Sequence, residues 1–306
     1  MRILVTGGTG FVGKWAALAL VSAGHEVFVI SRTPTTVPGC QVIVGDLLKS
    51  ETIDAALARA RPEILLHMAW YVEHGKFWNA AENLDWATAT IRLVRAAQKI
   101  GVRRIVCAGT CMEYDLSSRD LCVETTTAIR PVTLYAVSKD STRRIVEEFV
   151  ASCGLEFAWG RMFFVFGPNE HPSRLVSSIA VSLLAGRPAL ISSGTQIRDF
   201  IDVHDAGEAF AALALSKVTG AVNIASGRAL RIRELAEEIR AAAGGIGELR
   251  FGALPDRPNE PACIVADIRR LQDEVGYRPR KTIKERLSET LEWWRAWSIY
   301  ESQLRA

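Results

Sequence analysis

Short apolar runs alternate with longer amphipathic stretches through the first half of the chain. Arg2–Thr6, Glu26–Ser31, Gln41–Val44, Glu63–Met68, Arg104–Ala108 and Leu155–Phe163 have the length and the β-branched content of buried strands. Between them, Phe11–Ala23, Thr52–Ala60, Trp78–Ile100 and Thr133–Cys153 carry apolar residues at helical spacing, and Gly24 and Gly101 close the first and third of these helices. Strand and helix in strict alternation predict an α/β fold, a doubly wound parallel sheet with helices on both faces. Right-handed crossovers then bring every strand C-terminus to one edge, where ligands bind.

After Phe166 the rhythm breaks. Helical segments at Ser173–Ala185, Asp205–Ser216, Ile232–Ala243 and Thr282–Trp297 are separated by Pro- and Gly-rich loops and short strands such as Ala189–Ser192. This predicts a nucleotide-binding domain over 1–166 and a smaller C-terminal lobe over 167–306, with Gly220–Ala225 returning to the main sheet.

Composition narrows the class. The chain has 306 residues, 49% of them hydrophobic and 23% charged, with a formal net charge of +3. That is enough apolar material for a sizeable core, and the balanced charge gives no argument for nucleic acid. No run is long and apolar enough for a membrane helix, and the N-terminus runs straight into glycines, unlike a signal peptide. The six cysteines, Cys40, Cys107, Cys111, Cys122, Cys153 and Cys263, show no metal-ligand spacing, so we expect reduced thiols, no metal and a cytoplasmic protein. Arginine outnumbers lysine 29 to 8, a bias that suits oxyanion ligands.

The segment Thr6-Gly-Gly-Thr-Gly-Phe-Val-Gly13 lies between the first strand and the first helix. Gly7, Gly10 and Gly13 permit a tight turn and let backbone approach a pyrophosphate, with Phe11 and Val12 leading into the helix N-terminus. A dinucleotide is therefore the expected cofactor, and the fold is of the Rossmann type. The second strand ends Val29-Ile-Ser-Arg32 with no carboxylate at its tip. An acid there receives the ribose 2′-hydroxyl of NAD, whereas an arginine accommodates the 2′-phosphate of NADP. Ser31 and Arg32 thus favour NADP over NAD, and Asp46 with Leu47 is placed near the adenine.

Tyr135 and Lys139 stand four residues apart, on one face of a predicted helix. A phenol is a poor acid or base at neutral pH, and a neighbouring ammonium lowers its pKa. The pair can then exchange a proton with a carbinol oxygen while a nicotinamide carries hydride.

With this pair the chain resembles the extended short-chain dehydrogenase/reductase family, in particular its nucleotide-sugar epimerases, dehydratases and reductases. The glycine loop, Asp46, Asn83, Thr110, and Pro131 followed by Tyr135 and Lys139 fall in family order. The resemblance implies that Thr110, followed by Tyr114, orients the sugar oxygen, that Tyr135 is the acid, that Lys139 holds the nicotinamide ribose and that Asn83 lies at the cofactor. It further implies that Arg198, in Arg-Asp-Phe-Ile-Asp-Val, and Arg257, in Arg-Pro-Asn-Glu260, approach the substrate diphosphate. Two guanidinium forks on a pyrophosphate make chemical sense. Relatives commonly dimerise through the helices matching Trp78–Ile100 and Thr133–Cys153, so a homodimer is expected.

Departures from the family narrow the reaction. Thr110-Cys111-Met112 stands where 4,6-dehydratases carry Thr-Asp-Glu, so dehydration is not expected. Met112 and Arg174 replace the acid–base residues of 3,5-epimerases, which leaves Cys111, Met112 and Arg174 as pocket residues. Phe164 replaces an asparagine that many relatives aim at the substrate. The loop Trp70-Tyr-Val-Glu-His-Gly-Lys-Phe-Trp78 is unusually aromatic, suited to core cover or to stacking on a sugar. With NADP favoured, the expected activity is NADPH-dependent reduction of a keto group, at C4, on a nucleotide-activated deoxyhexose. The alternatives are a nucleotide-sugar 4-epimerase, a reductase of a non-nucleotide ketone or aldehyde, and a non-catalytic NADP-binding regulator.

Overall fold

The computed structural model describes residues 1–305, and side chains through Trp297. Seven strands form one parallel sheet: β1 (Arg2–Thr6), β2 (Glu26–Ser31), β3 (Cys40–Val44), β4 (Ile64–His67), β5 (Arg104–Thr110), β6 (Glu156–Met162) and, far along the chain, β10 (Gly220–Ile224). The order across the sheet is β10-β6-β5-β4-β1-β2-β3. Strand order reverses beside β1, and the register Thr6↔His67 and Thr110↔Met162 brings the strand ends to a common edge. This is the Rossmann arrangement, with its ligand crevice at the switch point.

Helices α1 (Gly13–Ser22) and α6 (Val203–Leu215) cover one face. Ala16, Ala17 and Leu20 of α1 pack with Ala206, Phe210 and Leu213 of α6 and with Ile3, Val5 and Val222 of the sheet. The opposite face is covered by α2 (Ser50–Ala60), α3 (Glu82–Lys99) and α4 (Leu134–Cys153), whose Ile53, Leu57, Leu93, Val94, Val146 and Val150 meet Leu4, Leu65 and Ile105. Because both faces are covered, Ile3–Val5 and Arg104–Thr110 are buried throughout, which is why these strands read as unbroken apolar runs.

The remaining elements form the lobe: β7 (Phe164–Phe166), α5 (Leu175–Leu184), β8 (Ala189–Ile191), β9 (Ile197–Asp202), β11 (Ala229–Arg231), α7 (Ile232–Ala242), β12 (Leu249–Phe251), β13 (Cys263–Ile264) and α8 (Ile283–Arg305). Here β9 pairs with β7, β11 and β13, and β8 pairs with β12. Helices α5, α7 and α8 close a separate core of Val176, Leu183, Ile239, Leu287, Leu291 and Trp294.

Several boundaries shift. Phe11 and Val12 belong to the glycine loop, because α1 starts only once the loop has turned at Gly13. Residues 77–79 form a separate turn ahead of α3, and β5 extends to Thr110. The larger correction concerns α6: its periodicity falls in the stretch read as lobe, yet its apolar face joins the main core against α1. The Asp202 carboxylate starts this helix by accepting the His204 amide at 2.8 Å.

Candidate functional site

The glycine loop turns at Gly7, whose φ is +70°, and a Cβ there would meet the Ala69 backbone at 2.8 Å. A Cβ on Gly13 would lie 2.1 Å from the Gly7 carbonyl oxygen, so loop and helix touch as only glycine allows. Gly10 donates its amide to Gly7 O at 2.9 Å, and Gly10 faces solvent. Among the described residues the amides of Phe11 and Val12 have no acceptor. Free amides at a helix N-terminus beside an exposed glycine ridge fit a dinucleotide pyrophosphate.

At the far end of this crevice Arg32 is exposed and, among the described residues, has no ion pair. The Ser31 hydroxyl donates to Thr33 O at 2.8 Å, and the residue is buried. Asp46 Oδ1 accepts the Leu48 amide at 3.1 Å and so holds the turn into α2, while the Leu47 side chain is packed in the core beneath. Asn83 is fully buried. Its Oδ1 accepts Trp70 Nε1–H at 2.9 Å, and its Nδ2 donates to the carbonyls of Phe77 and Ala80. The side chain read as a cofactor contact also ties down the aromatic loop.

Tyr135, Lys139 and Thr110 come together at the end of β5. Thr133 caps α4, accepting the Ala136 amide at 3.2 Å, so Tyr135 lies in the first turn and Lys139 one turn further on. The Lys139 ammonium donates to Ala108 O at 2.8 Å and lies 3.9 Å from the Trp70 ring centroid. Phe77 and Trp78 meet the Tyr135 ring edge-on, at 4.9 and 6.0 Å between centroids. The aromatic loop thus roofs the reactive pair.

The roof sets the electrostatics. Burial, only partly offset by Glu113 and Cys107, lowers the Lys139 pKa to about 7. Burial also pushes the Tyr135 phenol above its ordinary value, and a hydrogen bond with Thr110 draws it part of the way back. The ammonium-assisted lowering expected from the spacing alone is outweighed in this pocket, because burial exceeds the effect of the nearby charges on both groups. The pocket thus favours the neutral phenol of Tyr135, which can give a proton and must lose its own before it can take one.

Under Thr110 lies a carboxylate that the sequence reading passed over. Glu113 is fully buried and accepts the Thr110 amide at 2.9 Å, Trp159 Nε1–H at 2.9 Å and Arg161 Nε–H at 2.8 Å. It holds the turn after β5 from below and belongs to the framework of the site. Cys111 is buried in the cluster with Tyr114 and Phe163, and Met112 is half-buried at the edge of that cluster. Tyr114 donates its hydroxyl to Asn223 Oδ1 at 2.8 Å.

The lobe contributes cations. Arg174, just before α5, pairs with Glu170 at 3.1 Å and acts on Tyr135 by its charge. Glu170 is buried, also accepts the Ser177 hydroxyl, and is raised to about 7, mainly by that burial. Arg198 does not point freely into the crevice: Nη2 donates to Glu260 Oε1 at 2.9 Å and Nη1 to Ile197 O. Exposed Arg257 lines a cleft of about 380 Å³ together with Arg119, Gln196, Arg231, Asp256 and Glu260. Gln196 donates Nε2 to Asp256 at 2.8 Å, and its buried Oε1 has no partner among the described residues. Neither Arg119, Arg231 nor Gln196 stood out in the sequence, because three separated segments supply them.

Comparison with known proteins agrees with this architecture. The family model described as "NAD dependent epimerase/dehydratase family" matches residues 3–225. The UDP-glucose 4-epimerase of Streptomyces lividans is 28% identical over 324 residues, spanning 95% of both chains. The crystal structure of Thermus thermophilus UDP-glucose 4-epimerase complexed with NAD has a TM-score of 0.85 and 26% identity, covering 96% of this chain and 99% of that one. MoeE5 in complex with UDP-glucose and NAD has a TM-score of 0.84 and 27% identity, covering 97% of this chain and 100% of that one. On its sequence and its fold, the chain belongs to the NAD-dependent epimerase/dehydratase family.

Proposed function

We propose that the protein is a nucleotide-sugar 4-epimerase, with Thr110, Tyr135 and Lys139 at the reacting carbon. The observation that carries this reading is a Tyr135–Lys139 pair with, among the described residues, no free carboxylate beside it. Cys111 and Met112 follow Thr110, and the neighbouring Glu113 is locked underneath by Trp159 and Arg161. Such a site can exchange a hydroxyl proton with the sugar, and it has no base for pulling a proton from carbon, as elimination requires.

Phe11 and Val12 amides with Gly10 would hold the dinucleotide pyrophosphate, and Lys139 its nicotinamide ribose. A bound nicotinamide supplies hydride acceptance and return. Tyr135, once its own proton has passed to solvent, takes the proton of the C4 hydroxyl and returns it to that oxygen when the sugar is reduced again, and Thr110 fixes that oxygen through the same hydrogen-bond chain. Arg174 and Arg257 neutralise the diphosphate, and the cleft around Gln196 receives the nucleoside end. The similarity to UDP-glucose 4-epimerases over the whole length supports epimerisation and a uridine nucleotide.

The test is conversion of UDP-glucose by purified protein with no dinucleotide added. UDP-galactose should accumulate while the bound cofactor, identified as NAD by mass spectrometry, is not consumed. Arg32, exposed and without an ion pair among the described residues, favours a second reading, an NADPH-dependent 4-ketoreductase on the same class of sugar. One NADPH oxidised per product, with NADP in the crevice, would establish that reading in place of the first.

A further inference from the structure

The aromatic roof touches the lobe through two histidines. Trp70 and Phe77 fix the loop over Lys139 and Tyr135 at its two ends. Between them His74 leaves the roof and stacks on His171, with ring centroids 4.7 Å apart and planes inclined by 21°. His171 is itself fixed, since its Nδ1 accepts the Ser173 amide at 3.2 Å and its carbonyl accepts the Arg174 amide at 2.9 Å. With Nδ1 accepting, the ring proton of His171 sits on Nε2. The stack therefore joins the roof to the segment that carries Arg174, whose charge reaches Tyr135.

The charged groups facing His74 across the seam are His171, Arg174 and Arg257. On its own loop, Glu73 is engaged by Lys76 and by the Tyr71 hydroxyl. On the lobe side, Glu170 is buried and engaged by Arg174 and Ser177. The seam thus gathers two arginines and two imidazoles around an entrance whose carboxylates are already taken. A positive charge on His74 in that company is disfavoured until an anion joins the seam. Burial, then His171, Arg174 and Arg257, keep His74 below its ordinary value of 6.5. The missing charge is what the pyrophosphate diester of a nucleotide sugar brings, and that diester stays dianionic across neutral pH.

We propose that the His74–His171 stack is a clamp that closes the roof onto the pyrophosphate of the bound nucleotide sugar, His74 taking up one proton from solvent as it closes. The inference rests on the nucleotide-sugar reading above and adds two residues and a proton to it. An arriving anion raises the affinity of His74 for a proton, so affinity for the sugar nucleotide increases as pH falls through the window between the free and bound states. Below that window the dependence levels off.

Isothermal titration of UDP-glucose into the dinucleotide-loaded protein, near pH 6.5 in two buffers of different ionisation enthalpy, measures the proton directly. The expected result is uptake of about half to one proton and an affinity that tightens roughly three- to tenfold between pH 8 and pH 6. His74→Gln should bind more weakly at pH 6, with proton uptake smaller than the native protein's and a flatter profile, the remaining linkage coming from Lys139 and Glu170. His74→Lys, a cation that does not titrate in this range, should bind tightly at both pH values. Binding of UDP-glucose without proton uptake, or a His74→Gln variant that keeps the wild-type slope, overturns the clamp and leaves the nucleotide-sugar reading intact. Failure of UDP-glucose, GDP-mannose and dTDP-glucose alike to bind removes that reading, and the clamp with it.

Discussion

Lys139 carries a cost that pH can relieve. Its folded pKa is about 7 against an ordinary 10.5. Between those values the unfolded chain binds more protons than the folded one, so stability is lowest below about 7 and rises as pH climbs through the window. Melting temperatures of dinucleotide-free protein should rise from about pH 7 to about pH 9.5 relative to Lys139→Met, whose profile lacks this contribution. A parallel slope for the two proteins would show that the ammonium is solvated. Removing the phenolic hydroxyl is a cleaner chemical test: Tyr135→Phe should lower turnover by about 10²–10⁴-fold while dinucleotide affinity stays unchanged. Glu113→Ala acts from below. It leaves Arg161 buried without its partner, and chemical denaturation should register a loss of about 3–5 kcal/mol.

At the scale of elements, the glycine loop separates two kinds of glycine. Gly24 has φ +80° and nothing within 4 Å of the point a Cβ would occupy, so Gly24→Ala should cost about 1–2 kcal/mol of strain and leave dinucleotide binding intact. Gly13→Ala would drive a methyl into the Gly7 carbonyl at 2.1 Å. It should cost about 1–3 kcal/mol of stability and, by displacing the loop, abolish dinucleotide retention measured on the purified protein. These features were legible in the sequence because they are local: a glycine ridge between strand and helix, and a Tyr–Lys pair one helical turn apart. What the sequence concealed is held together across the fold. Arg198 meets Glu260 over 62 residues and Arg161 meets Glu113 over 48, partners that only strand order brings together. The hold of Asn83 on the Trp70 indole is hidden for the same reason, since spacing says nothing of it. The onset of α1 was misjudged because Phe11 continues the helical period although the loop beneath has not yet turned.

For the molecule as a whole, α3 and α4 pack side by side on one face and leave apolar side chains outward. Leu84 is 56% exposed and Ile145 51%. An apolar strip on paired helices suits a twofold contact. Sedimentation should give a dimer for the native chain and a monomer for Ile145→Glu; a monomeric native protein would refute this. The return of the chain to the main sheet has a wider consequence. After building β9 in the lobe, the polypeptide lays α6 against α1 and sets β10 beside β6, and the family match likewise runs to residue 225. Neither half is therefore a severable module. A fragment cut at residue 166 would present a raw sheet margin and a bare flank of α1, and should aggregate. Chimaeras that exchange substrate specificity between relatives will hold together only if residues 203–225 travel with the nucleotide-binding half.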